Sequence, residues 1–272
     1  MHFHVNGVSY RVESEGQGPA LLLLHGFTGS RVTWEPYLSN WTRQFQVVRV
    51  DVIGHGESDA PADPARYTMD RATADLAEIL DRLQISHAHV LGYSMGGRLA
   101  LSFAEWYPDR VNTLLLESSS PGLKTDAERR ARREQDEALA DRIEREGLES
   151  FIWYWESIPL FASQANLPEK VRQALRKERL SQRAQGLANS LRGMGTGAQP
   201  SWWGHLGKIP CPVLLITGEL DGKFCRIAKE MNGQFAQCQW RVVPGAGHAV
   251  HLEVPRLFDT IVMEFLLDQE IP

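Results

Sequence analysis

The run from His89 to Leu101, HVLGYSMGGRLAL, constrains this chain more than any other stretch. It opens apolar at Val90 and Leu91 and turns abruptly at Gly92-Tyr93-Ser94-Met95-Gly96. It then continues through Arg98, Leu99, Ala100, Leu101 and Phe103 with a composition that suits a helix. A G-x-S-x-G set between strand and helix is a nucleophile elbow, in which the serine stands at the tip of a strained turn with its oxygen exposed. Gly92 and Gly96 lack the Cβ atoms that would block so close a crossing of strand and helix. The helix behind Ser94 aims free N–H groups and its positive dipole end at the place where an oxyanion develops. The competing reading is a glycine-rich turn carrying an incidental serine, and the rest of the chain has to decide between them.

Taken in order, the flanking segments predict an α/β pattern. His2 to Val12 alternates as an edge strand, and Asn6-Gly7 can fold it into a hairpin. Pro19 to Leu24 is continuously apolar, as in a strand covered on both faces, and it ends in His25-Gly26-Phe27-Thr28-Gly29-Ser30. Phe45 to Val52 reads as the next strand, followed by Ile53-Gly54-His55-Gly56-Glu57-Ser58. Met69, Ala72, Leu76, Ile79, Leu80 and Leu83 are spaced as one helix face. Beyond the elbow helix, Val111 to Leu116 predicts another buried strand. Pro212 to Thr217 and Gln239 to Val243 predict two more, and Pro255 to Leu267 a last helix.

Between Lys124 and about His205 the composition changes. The segment is rich in Arg, Glu, Ala and Gln, helical in period, and without any strand-like run. Residues 121–205 are therefore expected to form a helical cap inserted into a core made of 1–120 and 206–272. The cap carries Arg129, Arg130, Arg132 and Arg133 and the aromatic run Phe151, Trp153, Tyr154 and Trp155. Interleaved acids imply that most of those charges are solvated, but an arginine on the face over the core would be functional.

Ser94, Asp221 and His248 follow one another in the order serine, acid, histidine, each in a loop directly after a strand. That is the rim where ligands bind open parallel sheets. A serine hydroxyl is inert near pH 7 unless an imidazole takes its proton, and the imidazole needs a carboxylate to fix its tautomer. Glu117 also ends a strand and competes for the acid role, while Glu219 comes too early in its loop. His25, His55 and His251 compete with His248, which alone occupies the G-x-G-H loop after the last strand. Arg98 lies one helical turn beyond Ser94 among apolar neighbours, so its charge needs a partner. That partner is either a substrate carboxylate or a core acid such as Glu117 or Asp51.

The totals exclude several classes. At 272 residues the chain can bury one large core. A net charge of −5 and pI near 6.0 give no reason to expect a nucleic acid or anionic membrane as partner. Cys211, Cys225 and Cys238 have no C-x-x-C spacing, so neither a zinc site nor a disulfide framework is expected. The N-terminal MHFHVNGVSYRV has no charged-then-apolar leader, and no run reaches membrane-span length, so a cytoplasmic protein is expected. Its oligomeric state is not encoded in these features.

LLLHGFTGS, DVIGHGES, GYSMGGRLAL, TGELDGKF and GAGHAVHLE occur in order, and with them the chain resembles the α/β-hydrolase superfamily over essentially its whole length. More narrowly it resembles the 2-succinyl-6-hydroxy-2,4-cyclohexadiene-1-carboxylate synthases of menaquinone biosynthesis. That likeness rests on Arg98 after SMGG, on SSSPGL at 118–123, and on Ala127-Glu128-Arg129-Arg130-Ala131-Arg132. The stretches WESIPLF at 155–161 and LRGMGTGAQPSWW at 191–203 extend it. The resemblance implies a mostly parallel sheet flanked by helices, with an inserted cap. It implies a lyase needing no cofactor or metal, which removes a proton beside a succinyl ketone and expels pyruvate. Ser94, His248 and Asp221 would abstract the proton, and the N–H groups of Phe27 and Met95 would hold an enolate. Arg98, Arg132 and Arg176 would bind carboxylates of a small polycarboxylate substrate, with Trp155 and Tyr93 completing the site. A serine hydrolase of esters or of carbon–carbon bonds in vinylogous diketones fits the same triad. A ligand-binding protein on the same fold is the reading from a different class.

Overall fold

In the computed structural model, which describes residues 1–269, the apolar runs become one eight-stranded sheet. The strands are β1 (His2–Val5), β2 (Val8–Glu15), β3 (Ala20–Leu24), β4 (Gln46–Val50), β5 (Ala88–Tyr93), β6 (Val111–Glu117), β7 (Val213–Gly218) and β8 (Cys238–Val243). Their order is β1-β2-β4-β3-β5-β6-β7-β8. Antiparallel pairing is confined to β1 with β2 and β2 with β4, and the rest of the sheet is parallel. Asn6 and Gly7, at φ +48° and +81°, make the tight turn joining the first two strands. The last three positions of the core segment drawn to 272 lie outside the described residues.

The continuous apolar strands are explained by helices on both faces. Because side chains alternate across a strand, Leu22 and Leu24 enter one core with Val48, Val50, Val90, Leu114 and Leu116. Leu21 and Leu23 enter the other with Val47, Leu91, Leu115 and Ile216. All four leucines of β3 are fully buried, each contributing roughly 2 kcal/mol of apolar transfer energy. The helices are α1 (Leu38–Trp41), α2 (Met69–Arg82), α3 (Met95–Trp106), α4 (Asp126–Ser157), α5 (Glu169–Leu180), α6 (Ala184–Met194), α7 (Gly222–Asn232), α8 (Val250–Glu253) and α9 (Pro255–Gln269). Helices α4 to α6 leave the sheet after β6 and return before β7. A Thr125–Glu128 capping box starts α4, and Gly147, at φ +82°, breaks its helical path. Among the described residues, no helix is long and apolar enough to cross a membrane.

Two buried histidines stand under the loops at the sheet's rim. His25 donates from Nδ1 to the Gly26 carbonyl at 2.8 Å and accepts the Val52 N–H at Nε2 at 3.0 Å. His55 packs against it, ring centroids 5.1 Å apart. Burial pushes His25 down to about 4, and burial with the neighbouring His25 pushes His55 down to about 3. Both are therefore neutral when folded but bind protons near pH 6.5 when unfolded. Stability is unaffected above that pH and is lost as pH falls from about 6.5 towards 4. Each histidine should cost roughly 1 kcal/mol by pH 5.5. Urea unfolding at pH 7.5 and 5.5 measures the loss, and His55→Gln should remove about half of it. An unchanged pH slope in that variant would dismiss His55 as a source.

Candidate active site

The elbow forms as its glycines require. Ser94 sits at φ +51° and ψ −105° between β5 and α3, a strained backbone that its surroundings hold in place. A Cβ on Gly92 would stand 2.3 Å from the Gly96 carbonyl oxygen, and one on Gly96 2.2 Å from that of Leu24. The Ser94 N–H donates to the Glu117 carbonyl at 2.8 Å, pinning the turn to the end of β6. A second close crossing, where a Cβ on Gly218 would meet the Gly247 oxygen at 2.1 Å, brings the loops after β7 and β8 together.

Those crossings assemble one hydrogen-bonded chain. His248 Nε2 lies 3.0 Å from Ser94 Oγ, and His248 Nδ1 lies 2.7 Å from Asp221 Oδ2. The other Asp221 oxygen accepts the Phe224 N–H at 3.1 Å, so the carboxylate also caps α7. The imidazole is buried within a collar formed by Phe224, Tyr93 and Phe161, whose ring centroids are 4.7, 5.5 and 5.9 Å away. In this geometry Nδ1 donates to the carboxylate and Nε2 is free to take a proton from Ser94.

Ser94 opens into a cavity of about 170 Å³, which Phe27, Tyr93, Met95, Arg98, Arg132 and Trp155 help to line. Arg98 faces it half-buried. Its Nη1 donates to the Met194 carbonyl at 2.7 Å and to Gln199 Oε1 at 3.0 Å. Burial, then the nearby charge of Arg132, pushes its guanidinium down to about 10, so it remains a cation at neutral pH. Neither core acid considered as its partner reaches it: Glu117 is held by His251, and Asp51 by Arg31. Among the described residues, Arg98 forms no ion pair. Arg132 reaches the same cavity and pairs with Asp136 at 2.7 Å. Trp155 stacks on Phe151 and meets Phe27 edge-on, and its buried Nε1 has no hydrogen-bond partner among the described residues.

Arg176 is not brought to this cavity. It lies over the Trp153 ring, pairs with Glu156, and lines a separate groove with Arg172 and Arg179. The arginine that α5 turns inward is Arg179, three positions on, which is buried over Phe161 and shares a small hollow with Tyr93 and His251. Three spaced arginines on one short helix cannot be ranked by period without knowing how the helix sits. The rival histidines and acids also find other employment. Glu117 binds His251, Glu219 accepts the Gly245 N–H, and His25 and His55 support the loops. Lys223 and Phe224, within the TGELDGKF run but not singled out from sequence, join the cavity wall. So does Ser190, and Gln199 holds Arg98 in place. A larger hollow of about 680 Å³ lies between Gly18, His87 and Pro212, away from the elbow.

Comparison with known proteins agrees with this architecture. Residues 19–255 match the family described as alpha/beta hydrolase fold. A protein of Bacillus subtilis (strain 168), provisionally named 2-succinyl-6-hydroxy-2,4-cyclohexadiene-1-carboxylate synthase, is 51% identical over 96% of each chain. The synthase of that name from Enterobacter sp. (strain 638) is 33% identical over 87% of each chain. Among solved structures, MenH from S. aureus superposes with a TM-score of 0.92 at 35% identity, covering 96% of this chain and 99% of its own. A thermophilic esterase from Thermogutta terrifontis superposes at 0.86 with 28% identity, covering 97% of this chain and 95% of its own. The likeness to the synthases spans core and cap alike: the chain belongs to the α/β-hydrolase fold family and, within it, to the family of 2-succinyl-6-hydroxy-2,4-cyclohexadiene-1-carboxylate synthases.

Proposed function

We infer that the protein is a carbon–oxygen lyase of menaquinone biosynthesis. It converts 2-succinyl-5-enolpyruvyl-6-hydroxy-3-cyclohexene-1-carboxylate into 2-succinyl-6-hydroxy-2,4-cyclohexadiene-1-carboxylate and pyruvate. The observation that carries this reading from the site itself is Arg98, a cation that faces the Ser94 cavity with only neutral partners. The substrate brings a ring, a succinyl and an enolpyruvyl carboxylate, and a guanidinium fork binds such groups well. Arg132, the second arginine on the wall, is assigned another of them, with Trp155 and Tyr93 against the ring. Residues 121–205 act as the cap that closes over it. The reaction takes place in the cytoplasm, a placement with which the free thiols of Cys211, Cys225 and Cys238 agree.

The chemistry uses the triad as a base. His248 withdraws the Ser94 proton, and the serine oxygen takes the proton from ring carbon 2, beside the succinyl ketone. The electron pair becomes an enolate on the ketone oxygen, held by the N–H groups of Phe27 and Met95. As the enolate collapses, double bonds form between carbons 2 and 3 and between carbons 4 and 5. The bond from carbon 5 to oxygen breaks, and enolpyruvate leaves. The abstracted proton, returned through His248, reaches the departing group's methylene carbon and completes pyruvate. Asp221 stabilises the transient imidazolium.

Since proton abstraction needs no acyl-enzyme, one pyruvate should appear per turnover without a burst. Lactate dehydrogenase coupling reports the pyruvate, and intact-protein mass spectrometry should show no adduct on Ser94. Nitrophenyl esters should be turned over poorly, because they offer nothing to the arginines in the transition state. The triad geometry and the likeness to an esterase favour one rival, a serine hydrolase. Fast ester turnover with accumulating acyl-Ser94 and no pyruvate would establish that rival instead.

A further inference from the structure

Glu117 ends β6 fully buried, and the proposed chemistry leaves it unused. Its carboxylate accepts two donors from one residue: the His251 backbone N–H at 3.0 Å and the His251 ring Nδ1 at 2.9 and 3.0 Å. Its own carbonyl accepts the Ser94 N–H at 2.8 Å. His251 stands three positions after the base His248, in the short helix α8. Its carbonyl accepts the Tyr37 hydroxyl at 2.6 Å. Its ring meets Tyr93 edge-on at 4.6 Å, and Trp34 and Phe258 surround it at 5.4 and 6.0 Å. One residue therefore grips the elbow through its backbone and the base loop through its side chain. Its partner in turn supports the tyrosine that lines the cavity.

A buried acid–histidine pair in an apolar shell is a poor means of stabilising a fold, since well-packed apolar residues often do as well or better. What it supplies that they cannot is directional constraint, because each hydrogen bond fixes both a distance and an angle. The Ser94–His248 contact depends on two loops from different strands keeping their separation to a fraction of an ångström, and loosening of that order slows catalysis. We propose that Glu117 and His251 are positioning residues, a buried brace that holds the nucleophile, its base and the cavity tyrosine in a single register. The brace touches neither substrate nor reacting atoms and acts only through Ser94, His248 and Tyr93.

This inference rests on the triad reading above, so its test uses a probe that needs no knowledge of the natural substrate. A fluorophosphonate labels a serine only as fast as its base activates it, whichever reaction the enzyme performs. Glu117→Gln retains one acceptor oxygen but puts an amide where the second carboxylate oxygen stood. In folded protein it should slow Ser94 labelling about tenfold and lower kcat for pyruvate release by the same factor, with KM within twofold. The double variant Glu117→Leu with His251→Phe fills the space with apolar side chains. It should keep a near-native Tm while losing about a hundredfold in both rates. Wild-type labelling in either folded variant, a loss expressed in KM alone, or failure of both variants to fold would overturn the brace. Absence of pyruvate release by the wild type would bear on the lyase reading alone, since the labelling comparison stands without it.

Discussion

Ser94→Ala, Asp221→Asn and His248→Ala should each lower kcat by roughly ten-thousandfold, and the triple variant should be little worse than the poorest single one. The expectation follows from the chain of contacts, 3.0 Å from serine to imidazole and 2.7 Å from imidazole to carboxylate, in which no member has a second route to a proton. Asp221→Asn is the most informative of the three. The asparagine oxygen can still cap α7 through the Phe224 N–H, so the fold is preserved. Its amide nitrogen, however, confronts the His248 Nδ1–H donor with another donor and drives the ring to the tautomer that protonates Nε2. That nitrogen then donates to Ser94 and can no longer accept from it. Far-UV circular dichroism should be unchanged for all three variants, and pyruvate release at saturating substrate gives kcat. A triple variant whose loss equals the product of the single losses would mean that the three residues act independently.

The elbow and triad were legible because each is written in a local pattern: a strand period, a turn that only glycine permits, and a loop after a strand end. Gly92, Gly96 and Gly218 announce where the backbones cross, and the crossings bring Ser94, Asp221 and His248 together. The strands were legible for the same reason, since burial on both faces leaves an unbroken apolar run such as Ala20 to Leu24. Features that depend on how elements dock were not legible. The cap arginines lie on helices whose rotation is set by contacts far away in sequence, and Gly147 resets the phase within α4. Hence Arg176 was expected at a cavity it does not line, while Arg179 turned inward beside Phe161. Glu117 was readable as a buried acid at a strand end. That its partner would be His251, 134 residues on, was not.

Arg98→Ala should lower kcat/KM by roughly a hundredfold or more, on the order of 3 kcal/mol, through loss of a charged hydrogen bond to a substrate carboxylate. Two roles compete for this side chain, and the structure gives each a measurable consequence. As a tie, Arg98 links the elbow helix to the Met194 carbonyl and Gln199 and so secures the segment that returns from α6 towards the core. Two hydrogen bonds to neutral acceptors are worth about 1 to 3 kcal/mol each when a charged donor makes them, and their loss lowers Tm. As a ligand, Arg98 holds its charge towards the cavity, where burial and Arg132 work against a cation, Asp136 offsets them only in part, and among the described residues no carboxylate pairs with it. A fold that needed only the tie would be served as well by a neutral donor, because the acceptors are a carbonyl and an amide. Arg98→Gln separates the two roles: it can still donate to the Met194 carbonyl and should keep most of the stability, yet it removes the charge. Arg98→Lys retains the charge without the planar fork and should fall between wild type and alanine. The ligand role therefore predicts near-native Tm with strongly reduced kcat/KM in the glutamine variant. Native kinetics in that variant, with a lowered Tm in Arg98→Ala, would leave Arg98 as a structural tie and nothing more.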